Sequence, residues 1–199
     1  MIAIIDYGMG NLRSVQKALE KVGASARITQ NPDDIRNAQK VILPGVGAMR
    51  PAMEKLGSLN LIPTIKAVVA EKKPFLGICL GYQLLFETST EGGRTNGLGL
   101  LAGNVARFSH LKVPQIGWNQ LHIKNGNSPI LKNIPELANV YFCHSYYVKP
   151  SDKTIIATTT HYAQEFASSI YSGNIFGVQF HPEKSQSIGL QILKNFYEL

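Results

Sequence analysis

Cys79 is the residue of this sequence best placed to act as a nucleophile. It ends a short apolar run and lies between Gly77 and Gly81 in the stretch Gly-Ile-Cys-Leu-Gly-Tyr-Gln, residues 77–83. Where a buried parallel strand turns sharply into a helix, the residue at the turn projects from the carboxyl edge of the sheet, and flanking glycines permit strained torsions. A helix beginning at Leu80 would also direct its dipole at the sulfur. The pattern favours a nucleophile over a buried structural cysteine.

A base and an orienting group for this thiol are present in Phe180–Glu183. His181 and Glu183 are two residues apart in a predicted extended segment, so their side chains share a face, and Pro182 stiffens the chain between them. A histidine and a glutamate at this spacing are a weak signal alone. Together with the cysteine turn they predict a Cys-His-Glu arrangement for acyl transfer.

Acyl transfer also requires hydrogen-bond donors for the developing oxyanion. The segment Pro44–Gly47 follows a predicted strand and should lie at the same sheet edge as Cys79. Backbone N–H groups of Val46, Gly47 and Leu80 could converge on one oxygen. From the spacing alone, a tight turn before a helix explains the segment equally well.

The other histidines and the second cysteine are interpreted as structural. His110, His122 and His161 lie among polar residues and are expected to be solvated. His144 follows an apolar strand, where a buried histidine with satisfied hydrogen bonds is more common than a second base. Cys143 is interpreted as a small hydrophobic residue.

No metal and no cofactor are expected. Two cysteines without clustered spacing form neither a disulfide framework nor a zinc site. Gly8-Met9-Gly10 follows the first strand, but the third glycine of a dinucleotide fingerprint would fall at Arg13.

Alternating strands and helices must position these groups. Apolar runs predict strands, periodic apolar residues predict helices, and the alternation implies a parallel sheet covered on both faces. The predicted strands of this half are residues 2–6, 26–29, 40–43 and 75–78, and the helices are 12–22, a short one opening at 31–34, and 63–71. Beyond residue 100 the chain is strand-rich and partly antiparallel. It ends in a helix with one apolar stripe, formed by Ile188, Ile192, Leu193, Phe196 and Tyr197.

The composition indicates one soluble globular domain over residues 1–199. Of these residues 44% are hydrophobic and 17% charged, with neither a repeat nor a linker. No apolar stretch is long enough for a membrane span and no basic leader precedes Asp6, so a cytoplasmic location is expected. The net charge of +7 comes from scattered residues, which favours a basic docking face for an acidic partner over nucleic-acid binding.

Several motifs together resemble the class I (triad) glutamine amidotransferases. The resemblance begins with residues 77–83 and His181-Pro182-Glu183. It is closest to the HisH family, the glutaminase subunits of imidazole glycerol phosphate synthase, and extends to residues 6–12, 43–48, 117–119, 144–146 and 181–185. The resemblance implies a three-layer, flavodoxin-like α/β fold with a mostly parallel central sheet and a strand-rich C-terminal half.

The resemblance also implies roles for individual residues. Cys79 would attack the side-chain amide of glutamine, His181 would act as base and then acid, and Glu183 would hold the imidazole. Ammonia would leave, and water would hydrolyse the glutamyl thioester. The residues that match glutamine-binding positions are Gly45, Gln83, Ser145 and Tyr146, with Gly47 beside them.

A partner is implied as well. In the HisH family, ammonia is channelled to a HisF-type cyclase barrel within a heterodimer, and Trp118, Tyr141 and Lys184 match positions near that contact. Neither nucleic acid nor a membrane is implied.

One position departs from the family pattern, because Gln115 stands where a histidine is usual. A paralogous subunit that feeds another synthase, such as one for sugar amidation, stays open, as do a cysteine hydrolase or peptidase and a binding module.

Overall fold

A computed structural model describes residues 1–109 and 111–199. Strands and helices alternate up to β4 and strands dominate thereafter, as the sequence predicts. In chain order the elements are β1 (Ile2–Ile5), α1 (Leu12–Lys21), β2 (Ala26–Thr29), α2 (Pro32–Asn37), β3 (Lys40–Gly45), α3 (Met49–Ser58), α4 (Leu61–Ala70), β4 (Phe75–Cys79), α5 (Leu80–Gln83), β5 (Phe86–Ser89), β6 (Thr95–Asn96), β7 (Leu101–Arg107), β8 (Gln115–Gln120), β9 (His122–Ile123), β10 (Asn139–His144), β11 (Tyr146–Pro150), β12 (Ile156–Tyr162), β13 (Gln164–Ser172), β14 (Ile175–Val178) and α6 (Gln186–Glu198).

The central sheet contains eight strands in the order β2-β1-β3-β4-β14-β13-β12-β9. The first five are mutually parallel, and β13, β12 and β9 continue the sheet antiparallel. This confirms the predicted sheet, which is mostly parallel and becomes antiparallel in the C-terminal half. Two smaller sheets accompany it, β10-β8 and β11-β7-β5-β6.

Helices cover both faces of the central sheet. Alternate residues of β1 face opposite sides, so Ile2 and Ile4 pack in one cluster with α1 and α6, while Ala3 and Ile5 pack in a second cluster with α2, α3 and α4. The result is a helix–sheet–helix sandwich. Burial on both faces explains why β1, β3, β4 and β14 contain continuous apolar runs, whereas β2 at the sheet edge is partly exposed.

The helices depart from the sequence prediction in three places. Helix α3 was not predicted, because Pro51 and Gly57 obscure its short apolar period. Helix α4 begins at Leu61, two residues early, since proline is tolerated in a first turn where its missing N–H is not needed. In α6, Tyr197 is exposed and does not join the buried stripe.

None of the helices within residues 1–109 and 111–199 combines the length and apolar character that a membrane span requires.

Candidate active site

Cys79 lies at a sharp turn between β4 and α5. Its backbone torsions are φ 55° and ψ −108°, an uncommon and strained conformation for a residue with a side chain. A β-carbon on Gly81 would overlap the Leu43 carbonyl, and one on Gly77 would come within 2.7 Å of the Gly81 carbonyl oxygen. Close backbone approach therefore requires both glycines, because a side chain at either position would separate α5 from β3 or from β4.

Helix α5 is shorter than the sequence suggested. It spans only Leu80–Gln83, a single turn. A helix dipole grows from aligned peptides, so one turn offers mainly its first free N–H groups. The expected dipole effect on the sulfur is correspondingly small.

His181 and Glu183 form a buried pair just after β14. The imidazole Nδ1 lies 2.8 Å from Glu183 Oε1, and both side chains are almost completely buried. A 3₁₀ turn at Pro182–Lys184 brings the carboxylate back to the ring, and the Ser185 hydroxyl donates to the His181 carbonyl at 2.6 Å. His181 is therefore fixed at its ring by Glu183 and at its backbone carbonyl by Ser185.

The charge state of His181 follows from its neighbours. Burial by itself lowers the pKa of His181, but hydrogen bonding and charge from Cys79 and Glu183 outweigh burial and raise the pKa to about 10. The imidazole therefore holds a proton at neutral pH, in position to act as an acid.

Cys79 and His181 line the same cavity, which has a volume of about 290 Å³. The sulfur lies 3.9 Å from the Cys143 carbonyl oxygen and 3.8 Å from Gln179 Nε2. The structure brings seven other predicted site residues to this cavity: Val46, Gly47, Leu80, Gln83, Ser145, Tyr146 and Lys184.

The loop after β3 contributes Val46 and Gly47 to the lining of this cavity. Gly47 has φ 93°, a torsion that favours glycine, and Val46 is exposed. Within the described part of the chain, neither amide has a backbone hydrogen-bond partner. Gly45 lies behind the loop, opposite Cys79 in the β3–β4 register, and does not line the cavity.

Gln83 is fixed by its own hydrogen bonds. Its Nε2 donates to the Tyr146 carbonyl at 2.9 Å and to Gln179 Oε1 at 3.0 Å. These bonds tie α5 to β11 and β14 and shape the wall of the cavity. Gln83 is therefore a rigid part of the site.

His144 fits its predicted structural role. It is 5% exposed, with Nδ1 2.7 Å from the Tyr146 carbonyl oxygen and Nε2 2.9 Å from Gln115 Oε1. Burial lowers the pKa of His144 to about 4, with the hydrogen bond to Tyr146 acting in the opposite direction. Gln115, the residue that stands where the family usually has a histidine, is therefore a buried hydrogen-bond partner of this ring.

The interpretation of Cys143 as a core residue is wrong. Its side chain is exposed, because β10 pairs only with β8 and alternates, burying Phe142 and His144. Its carbonyl, not its thiol, faces Cys79.

The sequence analysis missed two polar residues of the site. Glu91 lines the cavity and its Oε2 accepts from Met49 N at 2.8 Å, at the start of α3. Gln179 is fully buried at the end of β14. Gln179 could have been predicted, because a glutamine directly after an apolar strand is unusual. Glu91 could not, because it lies in a polar turn with no distinguishing sequence feature.

Trp118, Tyr141 and Lys184 form one cluster beside the cavity. Trp118 and Tyr141 are cross-strand neighbours with ring centroids 6.1 Å apart, and Lys184 Nζ lies 5.6 Å from the Tyr141 ring centre. Trp118 is 49% exposed, so the exposed interpretation of this residue is confirmed over a core one. Ile116 on the same strand is exposed too.

His122 and His161 lie outside the site. His122 is partly exposed beside Glu136, with Nδ1 3.2 Å from Oε1, and His161 is exposed. His110 falls outside the described residues. Over residues 1–109 and 111–199, no group of three or more His, Cys, Asp or Glu side chains is arranged to hold a metal ion.

Cavity size alone would not locate this site. A larger cavity of about 460 Å³ lies beside β11 and β13, lined by Lys124, Lys149 and Lys153 over an apolar floor. It contains no cysteine or histidine. The site is therefore assigned by its chemical groups, and of these two cavities the smaller one contains them.

Comparison with known proteins identifies the family. The family model for class I glutamine amidotransferases matches residues 3–199. The chain belongs to the class I glutamine amidotransferase family. This amidotransferase is 50% identical over 206 residues to the imidazole glycerol phosphate synthase subunit HisH of Geobacter sulfurreducens, covering 100% of this chain and 98% of the relative. It is 52% identical to the HisH subunit of Moorella thermoacetica, covering 100% and 94%.

Solved structures share the fold of this amidotransferase. A crystal structure described as a glutamine amidotransferase superposes with a TM-score of 0.79 over 100% of both chains at 14% identity. A chain of the PurLQS structure from Thermotoga maritima gives a TM-score of 0.76 at 20% identity, covering 99% of this amidotransferase and 95% of that chain. The predicted fold class is confirmed.

Proposed function

We propose that this chain is the glutaminase subunit of an imidazole glycerol phosphate synthase, folded as one domain over residues 1–199. The observation that carries the proposal is a thiol and a carboxylate-paired imidazole at one cavity, in a chain about half identical to HisH subunits over its whole length. The reaction is hydrolysis of glutamine to glutamate and ammonia.

The charge state of His181 sets the order of proton transfers. Because the pKa of His181 is raised to about 10, the imidazole takes the thiol proton before attack. The sulfur of Cys79 then adds to the amide carbon, and the imidazolium protonates the nitrogen. The C–N bond breaks, ammonia leaves and a glutamyl thioester remains.

Hydrolysis of the thioester reverses the roles. The now neutral His181 takes a proton from water, the hydroxide adds to the thioester carbon, and the C–S bond breaks to release glutamate. The thiolate and the imidazolium are restored. Glu183 stabilises the positive ring in both halves of the cycle.

Backbone amides supply the oxyanion site in this proposal. Val46, Gly47 and Leu80 line the cavity together with Cys79, and their backbone N–H groups are donors of the kind that act on charge that develops only in the transition state. Rotation of a peptide in the loop after β3 would complete the site when the partner binds.

Polar groups at the cavity suit the α-amino acid end of glutamine. The Glu91 carboxylate could bind an ammonium, and Ser145 and Tyr146 line the same cavity. Gln83 lines the cavity and its amide donates to the Tyr146 carbonyl, while Gly45 lies behind the cavity against Leu80 and Gly81. A polar pocket of about 290 Å³ is of a suitable size for one amino acid.

The partner in this proposal is a HisF-type cyclase barrel that receives ammonia in a heterodimer. The exposed cluster of Trp118, Tyr141 and Lys184 lies next to the cavity and offers an aromatic anchor with a cation. Docking there would cover the cavity, which keeps ammonia from water and from protonation.

The decisive measurement is ammonia release from glutamine by the chain with and without a purified cyclase barrel and its acceptor ligand. We expect the isolated chain to be nearly inactive and the complex to turn over. Cys79→Ser should lower turnover of the complex by at least about 10³-fold, since the serine hydroxyl is a far weaker nucleophile. As a control, the variant should keep its melting temperature and its affinity for the barrel.

A matched variant tests the docking surface. Trp118→Ala should weaken barrel binding by about 1–3 kcal/mol, as is typical for an interface anchor, and leave folding unchanged. Full turnover by the isolated chain would contradict the proposal that the oxyanion site is completed only when the partner binds. Failure to bind any cyclase barrel would favour a paralogous synthase, and cleavage of a peptide panel without glutaminase activity would favour a peptidase.

A further inference from the structure

The Tyr7 hydroxyl is a buried polar group without a partner beside the candidate oxyanion site. Tyr7 follows β1 and is 1% exposed, and its hydroxyl oxygen has no hydrogen-bond partner among the described residues. Buried hydroxyl groups are nearly always hydrogen-bonded, so one left unpaired next to reacting groups requires a reason.

This hydroxyl lies directly against Gly45. A β-carbon on Gly45 would overlap the Tyr7 oxygen, and it would also come within 3.0 Å of Gly81 N and of Leu80 Cβ. The hydroxyl therefore lies where the end of β3 meets the start of α5. These two segments carry the amides of Val46 and Leu80 that surround the cavity.

Peptide geometry links the hydroxyl to the Val46 amide. In a planar trans peptide, the Gly45 carbonyl and the Val46 N–H point in opposite directions. Val46 lines the cavity, whereas Tyr7 is on the buried side of Gly45. When the Val46 N–H turns into the cavity, the Gly45 carbonyl must turn away from it and needs a new donor.

We infer that Tyr7 is a positioning residue: its hydroxyl donates to the Gly45 carbonyl in the reacting complex and thereby holds the Val46 N–H toward the substrate oxygen. The inference rests on the proposed function. In the free chain this hydrogen bond is not made, and the hydroxyl is kept available for it. Tyr7 contacts neither the substrate nor the reacting atoms.

The ionisation of Tyr7 is consistent with a donor role. Burial, and to a lesser degree the charge of Cys79, raises the pKa of Tyr7 above its usual value. The phenol therefore keeps its proton at neutral pH and is able to donate it in a hydrogen bond.

The test is Tyr7→Phe, which removes only the hydroxyl, measured in the complex with the cyclase barrel. We expect kcat for ammonia release to fall about tenfold, the effect of losing one well-placed hydrogen bond, and KM to stay within about twofold. The melting temperature should be unchanged or higher, because the hydroxyl has no partner in the resting fold.

Thr64→Val is the matched control. The Thr64 hydroxyl on α4 is likewise buried without a partner, but α4 contributes no residue to the cavity. Its loss should leave the melting temperature unchanged or higher and kcat unchanged. A slow Tyr7→Phe variant beside a normal Thr64→Val variant separates the position of the hydroxyl from the removal of an unpaired group.

Alkylation of Cys79 by iodoacetamide, followed by peptide mass, separates two ways in which the hydroxyl could act. Substitution at a tetrahedral carbon develops no oxyanion, so the rate should be equal in Tyr7→Phe and wild type. A tenfold slower alkylation would overturn the inference, because the hydroxyl would then act on the thiol.

Other outcomes are equally informative. An unchanged kcat, or a fall in kcat together with a raised KM and a melting temperature several degrees lower, would overturn the positioning role. A wild-type chain without glutaminase activity would overturn the proposed function and this inference with it. An active wild type with an unimpaired Tyr7→Phe variant would overturn this inference alone.

Discussion

His144 and His181 are both buried beside one cavity, yet their pKa values differ by several units. His144 touches a backbone carbonyl and the neutral side chain of Gln115, and burial lowers its pKa to about 4. Burial acts on His181 in the same direction, but Cys79 and Glu183 raise its pKa to about 10. The charge of the partners, and not the depth of burial, decides which ring holds a proton.

This difference assigns the two rings to different tasks. A ring that stays neutral through the working pH range can only connect parts of the structure, as His144 connects β8 to β11. A ring held in its protonated form beside a thiol can move a proton. The following predictions test this division, beginning with the largest effect.

Removing each ring in turn should separate the two roles most strongly. His181→Asn should lower kcat for ammonia release by about 10²–10⁴-fold, the usual range for a lost general acid and base. His144→Asn should reduce it less than about tenfold, because no proton transfer depends on that ring. Steady-state assays of both variants in the complex with the barrel make the comparison, and equal losses would contradict it.

Removing the carboxylate should make His181 resemble His144. In Glu183→Gln the ring keeps a hydrogen-bond acceptor of the same size but loses the negative charge, so the pKa of His181 should fall. We expect kcat to fall about 10²-fold, because the imidazolium is less stable. Titration of the ring protons by NMR measures the pKa directly, and an unshifted pKa would show that Cys79 alone raises it.

The two rings should also limit stability at opposite ends of the pH scale. The lowered pKa of His144 gives stability that is full above about pH 6.5 and lost as pH falls toward 4, a change of about 3 kcal/mol. The raised pKa of His181 gives stability that is full below about pH 6.5 and lost as pH rises toward 10. Stability to urea should therefore be greatest near pH 6.5.

Two variants assign these limits. His144→Asn should flatten the acid side of the urea midpoint against pH, and His181→Asn should flatten the alkaline side. If neither variant changes the shape of the curve, other groups set its limits and this reading of the two pKa values is wrong.

The sequence predicted best where the chemistry was local. The strands β1, β3 and β4 are buried on both faces, so each contains a continuous apolar run, and the turn at Cys79 is marked by its own glycines. His181 pairs with Glu183 as predicted, although a 3₁₀ turn at Pro182–Lys184 brings them together and not the extended segment that the spacing suggested. None of these features needs information from distant parts of the chain.

The sequence predicted less where position depends on distant partners. Cys143 is exposed because β10 has only one neighbouring strand, and its apolar character concealed the alternation of Phe142 and His144. Glu91 is held at the cavity by a hydrogen bond from the Met49 N–H at the start of α3. This helix was not predicted, because its proline and glycine obscure the apolar period. The unpaired hydroxyl of Tyr7 depends on how β1 packs against the end of β3.

The neighbouring strands β4 and β14 have a further consequence for synthesis of the protein. Gly77 is paired with Gly177, so the strand that carries the thiol meets the strand that precedes its base only across 100 residues of intervening chain. The thiol and the imidazole can therefore meet only after residue 181 has left the ribosome. Until then one edge of β4 is unpaired and open to chaperones, and no fragment that stops before β14 can release ammonia during translation.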